Sequence, residues 1–376
     1  MNARKVNNIY PPAKNERNSS LELLRIFATI FVVIIHFNNN SAAGGKAFIY
    51  TEALPIHYHI LLICEMMCIC AVNIFVMISG YFLCTSTYVR ISKVLRLYID
   101  VIFFSTLCYV LSCALKDCVF DPADFLRHFI PLNWYVAVYS ALYLISPFLN
   151  QILQNKSRSE FGFMLLVFFF VLSIWPSGIE FLSKALHFSP NSLNPISNQG
   201  SGDGYTLVNF ILMYFLGSYC RLHGNVISSI KKRVWACAIY FFCTVLNTLY
   251  AHFFFGRATS YCNPFVVIQA VAIFVVFQNT KIKSPAVNSI AGCSFGVYLM
   301  HSFFFRFCMI EQYVTGNPLM IPIYTIITAI LIYAICAIIY WCYLRAFRPI
   351  FALIQHKLDF LTYDINGLVN RSQIHS

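Results

Sequence analysis

The sequence predicts an all-α polytopic membrane protein with about ten transmembrane helices. Of its 376 residues, 59% are hydrophobic and only 11% are charged, whereas soluble globular proteins carry about 25% charged residues. The mean hydropathy is correspondingly high, at +0.69. A bilayer core of about 30 Å needs roughly 20 mostly apolar residues per spanning helix. Ten such runs lie near 21–37, 57–83, 98–115, 133–153, 161–175, 206–221, 234–254, 263–279, 290–310 and 319–344.

The distribution of basic residues predicts that both termini are cytoplasmic. The net charge of +12 does not indicate a nucleic-acid partner, because Lys and Arg on polytopic proteins report orientation. Nineteen of the 26 lie in the N-terminus, alternate loops and C-terminus, six lie in the opposite loops, and Arg25 lies inside the first run. We therefore expect a cytoplasmic tail over 1–18, a ten-helix domain over 19–347 and a cytoplasmic tail over 348–376.

The first apolar run carries two ionisable residues, Arg25 and His36. At about 100° per residue, the step between them is three turns plus roughly 20°, with roughly 16.5 Å of rise. Both side chains are therefore predicted on one face of the helix. Ionisable residues at membrane depth are costly and mark candidate functional sites, although His36 is also consistent with a simple hydrogen bond between helices.

Two carboxylates accompany these residues. Ser19 and Glu22 have the spacing of a capping box, and Glu22 also stands one turn before Arg25 and is placed to pair with it. Glu65, in the second run, is predicted at a depth similar to that of His36. A carboxylate beside an imidazole fixes its tautomer, so Glu65 is a candidate for orienting His36. The alternative is that Glu65 reaches the outer interface.

Three cations follow the second run at a spacing of three residues, Arg90, Lys93 and Arg96. This spacing puts them on one side of a short helix at the cytoplasmic surface. The cluster suits a polyphosphate such as the nucleotide end of a coenzyme. Anchoring to lipid headgroups is equally consistent with the spacing.

Several other stretches are candidates for site or packing roles. Ser79 and Gly80 predict a local helix break or a close-packing point near the end of the second run. Trp134 and Tyr135 open the fourth run, where an aromatic belt is equally expected. Residues 176–205 form the longest predicted outer loop, rich in Asn and Gly; loops of this length are often binding loops, and a plain solvated loop is the alternative.

The fifteen cysteines do not predict a disulfide scaffold or a metal centre. Most of them lie inside the apolar runs, where Cys behaves as a small hydrophobic residue. Cys64, Cys68 and Cys70 are clustered, but no second half of a zinc site follows them. No metal is therefore predicted.

Five motifs follow one another along the chain: Arg25-x10-His36, Phe75-x-x-Ile78-Ser79-Gly80-Tyr81, the Arg90/Lys93/Arg96 segment, Trp134-Tyr135 and Ser294-x-x-x-Tyr298-Leu299-x-His301. Taken together, these motifs resemble the acyltransferase-3 family of bacterial integral-membrane acyltransferases, which acetylate cell-surface glycans and lipid-linked sugars. The chain departs from the family pattern at two positions. Glu22 stands where many members have Asp, and Asn73 stands where many have an acidic residue; both departures concern the subfamily and hence the acceptor.

The resemblance implies a membrane O-acetyltransferase of cell-envelope polysaccharide biosynthesis in the bacterial cytoplasmic membrane. Acetyl-CoA would be the donor cosubstrate, and a hydroxyl of a cell-surface or lipid-linked glycan the acceptor. His36 is expected to act as base or as transient acyl carrier, and Arg25 is expected to be essential. The further site candidates are Glu65 beside His36, Arg90, Lys93 and Arg96 with Arg25 at the donor, and Ser79, Trp134, Tyr135, Ser294, Tyr298 and His301 as supporting groups.

A transporter or flippase of anionic or lipid-linked envelope precursors is the alternative function. It too would be polytopic and carry charges within the membrane. Such folds often contain paired repeats with broken helices in both halves, and the sequence has no visible internal repeat. The oligomeric state is not predicted by any of these patterns.

Overall fold

The computed structural model describes residues 18–39, 45–154, 156–189, 193–197, 200–224, 230–280, 282–358 and 362–364. Within these ranges the chain forms a helical bundle with a single two-stranded sheet. The predicted N-terminal tail up to residue 17 and the C-terminal residues after 364 lie outside the described residues.

The described helices fall into two consecutive sets. The first set is α1 Ser19–Asn38, α2 Ala47–Thr51, α3 Pro55–Cys68, α4 Ala71–Leu83, α5 Ile91–Ala114, α6 Pro122–Arg127, α7 Trp134–Leu153, α8 Arg158–Phe169 and α9 Trp175–Leu186. The second set is α10 Leu207–His223, α11 Ile230–Ala258, α12 Pro264–Gln278, α13 Pro285–Ala291, α14 Ser294–Phe304, α15 Ile310–Val314, α16 Ile321–Ala346 and α17 Arg348–Leu358.

Shorter elements connect these helices. A π-helical turn, Phe170–Ile174, joins α8 to α9. Turns of 3-10 helix lie at Gly202–Gly204, Phe305–Phe307 and Pro318–Met320. The strands β1, Tyr88–Val89, and β2, Tyr363–Asp364, pair antiparallel, with Tyr88 opposite Asp364.

Helices occupy all ten of the predicted apolar runs. Within the described residues, seven helical stretches are long and apolar enough to cross a membrane, and α12 is a shorter apolar helix. The helices α10 and α14, with 17 and 11 residues, cover two further runs. The chain is therefore an all-α polytopic membrane protein, while the count of ten spans and the side of the termini stay predictions. The seven stretches are Ser19–Asn38, Pro55–Leu83, Ile91–Ala114, Trp134–Leu153, Arg158–Leu186, Ile230–Ala258 and Pro318–Ala346.

Helix α1 lies at the centre of the bundle. It contacts α3, α4, α12, α13, α14 and α16, and Leu21, Leu24, Ala28 and Val33 along it are fully buried. Because other helices pack around α1, the first run is apolar on most of its circumference. It also places the Arg25 and His36 face against other helices and not against lipid.

Loop contacts fall into two groups that match the predicted sides of the membrane. At the predicted inner side, the hydroxyl of Ser20 donates to the Thr280 carbonyl, and the Ser284 amide donates to the Ser19 hydroxyl at 3.1 Å. At the predicted outer side, Arg306 forms an ion pair with Asp117. Each contact joins segments expected on the same side, which supports the predicted alternation of the helices.

The second predicted run is divided between two helices. The α-helical pattern is interrupted at Ile69 and Cys70, between α3 and α4, and it continues through Ser79 and Gly80. Gly80 is instead a close-packing point, because a Cβ atom there would overlap the Tyr214 carbonyl oxygen on α10. Of the two alternatives that the sequence left open for this pair, the structure forms the close contact.

The outer loop predicted from residue 176 begins later. The π-turn carries the helix into α9, which continues to Leu186. Pro176 does not end it, because proline is tolerated in the first turn of a helix. The buried Glu180 then fixes the following segment, accepting from the Ser201 amide at 3.0 Å and pairing with Arg257 at 3.1 Å. The loop residues 190–192 and 198–199 lie outside the described residues.

Candidate active site

The site centres on a pair of histidines from α1 and α14. Nδ1 of His36 lies 2.6 Å from Nε2 of His301. The ring planes are 10° apart, with centroids at 4.9 Å. Two nitrogens this close in nearly parallel rings meet edge to edge, which is the geometry of an N–H···N hydrogen bond. His301 was predicted as a supporting group, and the structure places it in direct contact with His36.

The hydrogen bonds of this pair determine which nitrogen is free. Nδ1 of His301 lies 3.0 Å from the Val297 carbonyl oxygen. A carbonyl can only accept, so in the neutral ring Nδ1 of His301 carries the proton and Nε2 is an acceptor. Nδ1 of His36 must therefore donate to His301. This leaves Nε2 of His36 with an available lone pair, as a base or a nucleophile requires.

Glu65 does not form the predicted contact with His36. In the described part of the chain its carboxylate accepts from the side-chain amides of Asn38, at 3.0 Å, and Asn39, at 2.5 Å. Asn38 follows His36 by two positions and so projects from a different side of α1, while Asn39 is the C-cap residue, in an extended conformation just beyond the helix. Glu65 is fully buried, and the two amide donors satisfy a carboxylate that would otherwise be costly to bury. The imidazole is oriented by a second histidine instead.

Arg25 is paired with Glu22. Nη1 of Arg25 lies 2.6 Å from Oε2 of Glu22, and the two side chains are 29% and 5% exposed. The capping box predicted from Ser19 and Glu22 is replaced, because Asn18 is the N-cap and accepts from the amides of Ser20 and Leu21. Of the two alternatives for Glu22, the structure forms the ion pair. It holds the guanidinium beside the cavities described next.

An inner cavity of about 370 Å³ lies beside the central part of α1. Its wall includes Arg25 and Val32 of α1, Tyr135 of α7 and Tyr298 of α14. Val32 and Tyr298 each stand about one helical turn before a histidine of the pair. The inner cavity therefore follows the predicted face of α1 from Arg25 and ends about one turn short of the two imidazoles.

Two further cavities lie between the inner cavity and the predicted cytoplasmic surface. A middle cavity of about 350 Å³ shares Arg25 and Ser79 with the inner cavity and adds Lys93 and Arg96. A cation groove of about 340 Å³ shares those two cations and adds Arg90 and Arg348. The three cavities follow one another through shared side chains. The predicted cation cluster and the face of α1 thus line one series of adjacent cavities, which we call the path.

Most polar groups along this path are already engaged. The Ser79 hydroxyl donates to the Phe75 carbonyl at 3.0 Å. Ser294 lies 3.2 Å from the Tyr333 hydroxyl. The Tyr298 hydroxyl donates to Oδ1 of Asn133 at 3.2 Å, and that oxygen also caps α7. The contacts of Ser294 and Tyr298 therefore join α14 to α16 and to the start of α7 at the wall of the inner cavity, whereas the Ser79 bond lies within α4.

Tyr135 differs from its neighbours. It lines the inner cavity and packs against Tyr298, with ring centroids at 5.6 Å. Within the described residues its hydroxyl has no hydrogen-bond partner, so it is an available phenolic donor beside Tyr298. Trp134, by contrast, does not line the path in the described residues. Its ring packs against Tyr205, with centroids at 4.4 Å.

Sequence reasoning missed two charged groups at this site. Arg348, counted only as an orientation signal, lines the cation groove. Asp100 lines the middle cavity, where it accepts from the hydroxyls of Tyr340 at 2.6 Å and Tyr343 at 2.8 Å. The helical spacing of Arg96 and Asp100 could have indicated Asp100, but only the tertiary fold brings Arg348 to α5.

Comparison with known proteins agrees with this architecture. The acyltransferase-3 family, described as an acyltransferase domain, matches residues 18–341. No curated protein and no solved structure gives a significant match. The family match includes α1 with Arg25 and His36, and α14 with His301. The chain therefore belongs to the acyltransferase-3 family and is a polytopic membrane acyltransferase.

Proposed function

We propose that this acyltransferase moves an acetyl group from cytoplasmic acetyl-CoA to a hydroxyl of a cell-surface or lipid-linked glycan in the bacterial cytoplasmic membrane. The observation that carries the proposal is the path of three adjacent cavities. It begins at a cluster of cations and ends about one helical turn from a histidine with a free Nε2. A long thioester donor with a phosphate end and a reactive end fits such a path.

The donor is bound with its phosphates at the cation groove and its thioester in the inner cavity. Arg90, Lys93 and Arg96 supply charge-assisted hydrogen bonds, which are stronger than neutral ones. Arg25, between the middle and inner cavities, lies beside the pantetheine arm and not at its phosphate end. The rise of roughly 16.5 Å between Arg25 and His36 leaves room for an extended arm along α1.

His36 is the group that activates the acceptor. A sugar hydroxyl is a weak nucleophile at neutral pH and needs a positioned base. Nε2 of His36 removes the hydroxyl proton while the hydroxyl oxygen bonds to the thioester carbonyl carbon. The carbon–sulfur bond then breaks, and the proton on His36 passes to the departing thiolate, which leaves as the thiol of CoA.

A covalent version of the step uses the same nitrogen. Nε2 of His36 attacks the thioester carbon, the carbon–sulfur bond breaks, and CoA departs as the thiolate. The acetyl-imidazolium then transfers its acetyl group to the glycan hydroxyl, which regenerates Nε2, and the hydroxyl proton passes to the thiolate to give the thiol of CoA. In both versions His301 acts as a positioning residue, because its Nε2 accepts the Nδ1 proton of His36 and keeps Nε2 of His36 toward the reacting atoms.

Tyr135 is our candidate for stabilising the developing oxyanion. Acyl transfer needs donors directed at the carbonyl oxygen. The hydroxyls of Ser294 and Tyr298 are already engaged with neighbouring groups. Tyr135, whose hydroxyl has no hydrogen-bond partner in the described part of the chain, lines the inner cavity, where the thioester is placed.

Transfer of labelled acetyl groups tests the proposal. Membranes containing the wild type, His36→Ala or His59→Ala at matched protein level are supplied with labelled acetyl-CoA, and CoA release and O-acetyl groups on envelope glycans are measured. His59 is an exposed residue of α3 and serves as the matched control. We expect transfer by the wild type and His59→Ala and a loss of about 10²- to 10⁴-fold in His36→Ala. Equal transfer in all three, above an empty-vector control, would remove His36 from the mechanism.

A further inference from the structure

One wall of the cation groove comes from outside the matched family region. The family match ends at residue 341, whereas α17 begins at Arg348. Arg348, Phe351 and Gln355 of this helix line the groove opposite the cations of α5. The segment predicted as the start of a C-terminal tail is therefore packed against the proposed donor site.

Two sets of contacts hold this C-terminal segment in place. The guanidinium of Arg96 lies over the Phe351 ring, 4.5 Å from its centroid, and Phe351 packs against Tyr343 of α16. After α17, strand β2 pairs with β1, directly before Arg90. The segment is thus attached at the groove itself and again beside its first cation.

The cation groove brings four cations together. Arg90, Lys93, Arg96 and Arg348 form no ion pair with a carboxylate in the described ranges. Lys93 and Arg90 lie over aromatic rings, those of Tyr143 and Tyr88, each 5.6 Å from the centroid. Four like charges around a space of about 340 Å³ repel one another, and an anion with several phosphate oxygens would relieve that repulsion.

We propose that α17 completes a binding site for the phosphate groups of an acyl-CoA, in which Arg348 contacts a phosphate together with Arg90 and Arg96. This inference rests on the proposed function and extends it, because it assigns part of donor recognition to residues outside the family match. The shared chemistry is a phosphate-bearing anion, and a lipid headgroup is the other source of such a group. The aromatic ring of Phe351 also gives the groove a flat apolar surface.

Direct binding of CoA tests the inference. Purified full-length protein in nanodiscs of neutral lipid is titrated with labelled CoA, and the Kd is compared between the wild type, Arg348→Gln, Arg348→Lys and Arg345→Gln. Arg345 is the matched control, because its guanidinium lies over the Trp341 ring and does not line the groove. Thermal unfolding of each variant establishes that the bundle is intact.

We expect Arg348→Gln to raise the Kd for CoA by about 10- to 100-fold, the effect of losing one charge-assisted hydrogen bond. Arg348→Lys should recover part of the affinity, since it keeps the charge without the planar fork of donors. Arg345→Gln should bind as the wild type does. A phosphate-free pantetheine thioester, used as donor, should show the same KM with all four proteins.

Three results would overturn the inference. Wild-type affinity for CoA in Arg348→Gln would refute the role of α17 and leave the proposed function standing. If Arg348→Gln binds CoA as the wild type does but binds less phosphatidylglycerol in nanodiscs that contain this anionic lipid, the groove would be assigned to a lipid headgroup. If the wild type itself does not bind CoA, the proposed donor is wrong and the inference falls with it.

Discussion

Replacing His301 by leucine tests the imidazole pair most sharply. The Nδ1 proton of His36 would lose the acceptor that lies 2.6 Å away. Leaving a buried donor without a partner costs about 1–3 kcal/mol. If this cost falls on the transition state, the rate decreases by about 5- to 150-fold at 1.36 kcal/mol per factor of ten. His301→Gln, whose side-chain oxygen can accept the same proton, should recover much of the rate.

The assay separates this positioning role from a loss of folding or of donor binding. Steady-state acetyl transfer by purified protein gives kcat and the KM for acetyl-CoA, and a thermal unfolding curve reports the stability of each variant. We expect kcat to fall and KM to stay unchanged, because the cation groove lies at the other end of the path. His59→Leu serves as control. Wild-type kcat in His301→Leu, or equal losses in His301→Leu and His301→Gln at normal stability, would refute the assignment.

Three other substitutions have defined expected outcomes. Tyr135→Phe should lower kcat by about 10²- to 10³-fold, as loss of one oxyanion donor does, with the KM for acetyl-CoA unchanged. A normal kcat would exclude the Tyr135 hydroxyl from stabilising the oxyanion. Gly80→Ala should destabilise the bundle by about 1–3 kcal/mol through overpacking, as measured by thermal unfolding. The control is Gly178→Ala, where an added Cβ meets nothing within 4 Å. Equal stabilities of the two variants would contradict the close contact at Gly80. Asp100→Leu should destabilise by about 1–3 kcal/mol, since two buried hydroxyls lose their acceptor, and an unchanged midpoint would refute that role.

Features set by helical periodicity were predictable from the sequence. The step from Arg25 to His36 predicted a shared face, and the inner cavity follows that face from Arg25 to Val32. The three-residue spacing of the cations likewise predicted a cluster on one side of a helix, and Lys93 and Arg96 of α5 line one groove together with Arg90 at its N-cap. In both cases the relevant geometry is internal to one helix, so no knowledge of neighbouring helices was needed.

Features that depend on how helices rotate against one another were not predictable. Residue counting placed Glu65 at about the right depth, but its side chain extends from α3 to Asn38 and Asn39 and not to His36. His301 could be recognised as a candidate, yet its contact with His36 joins residues 265 positions apart. Depth along a helix follows from residue counting, whereas the partner of a side chain follows from interhelical packing.

The same limit explains the residues that were missed. Arg348 follows the last apolar run and looks like an ordinary orientation signal, and it reaches the groove only because α17 packs against α5. Asp100 lies within an apolar run, and its burial is made tolerable by two tyrosine hydroxyls from α16. Their roles depend on contacts that no local pattern specifies.

A density map of the full-length protein with CoA bound tests the central claim most directly. The account predicts phosphate density against Arg90, Arg96 and Arg348 in the cation groove, with the pantetheine arm passing Arg25 and the thiol in the inner cavity near Tyr135. CoA bound at the opposite end of the bundle, or with its thiol pointing away from the histidine pair, would contradict the proposed path.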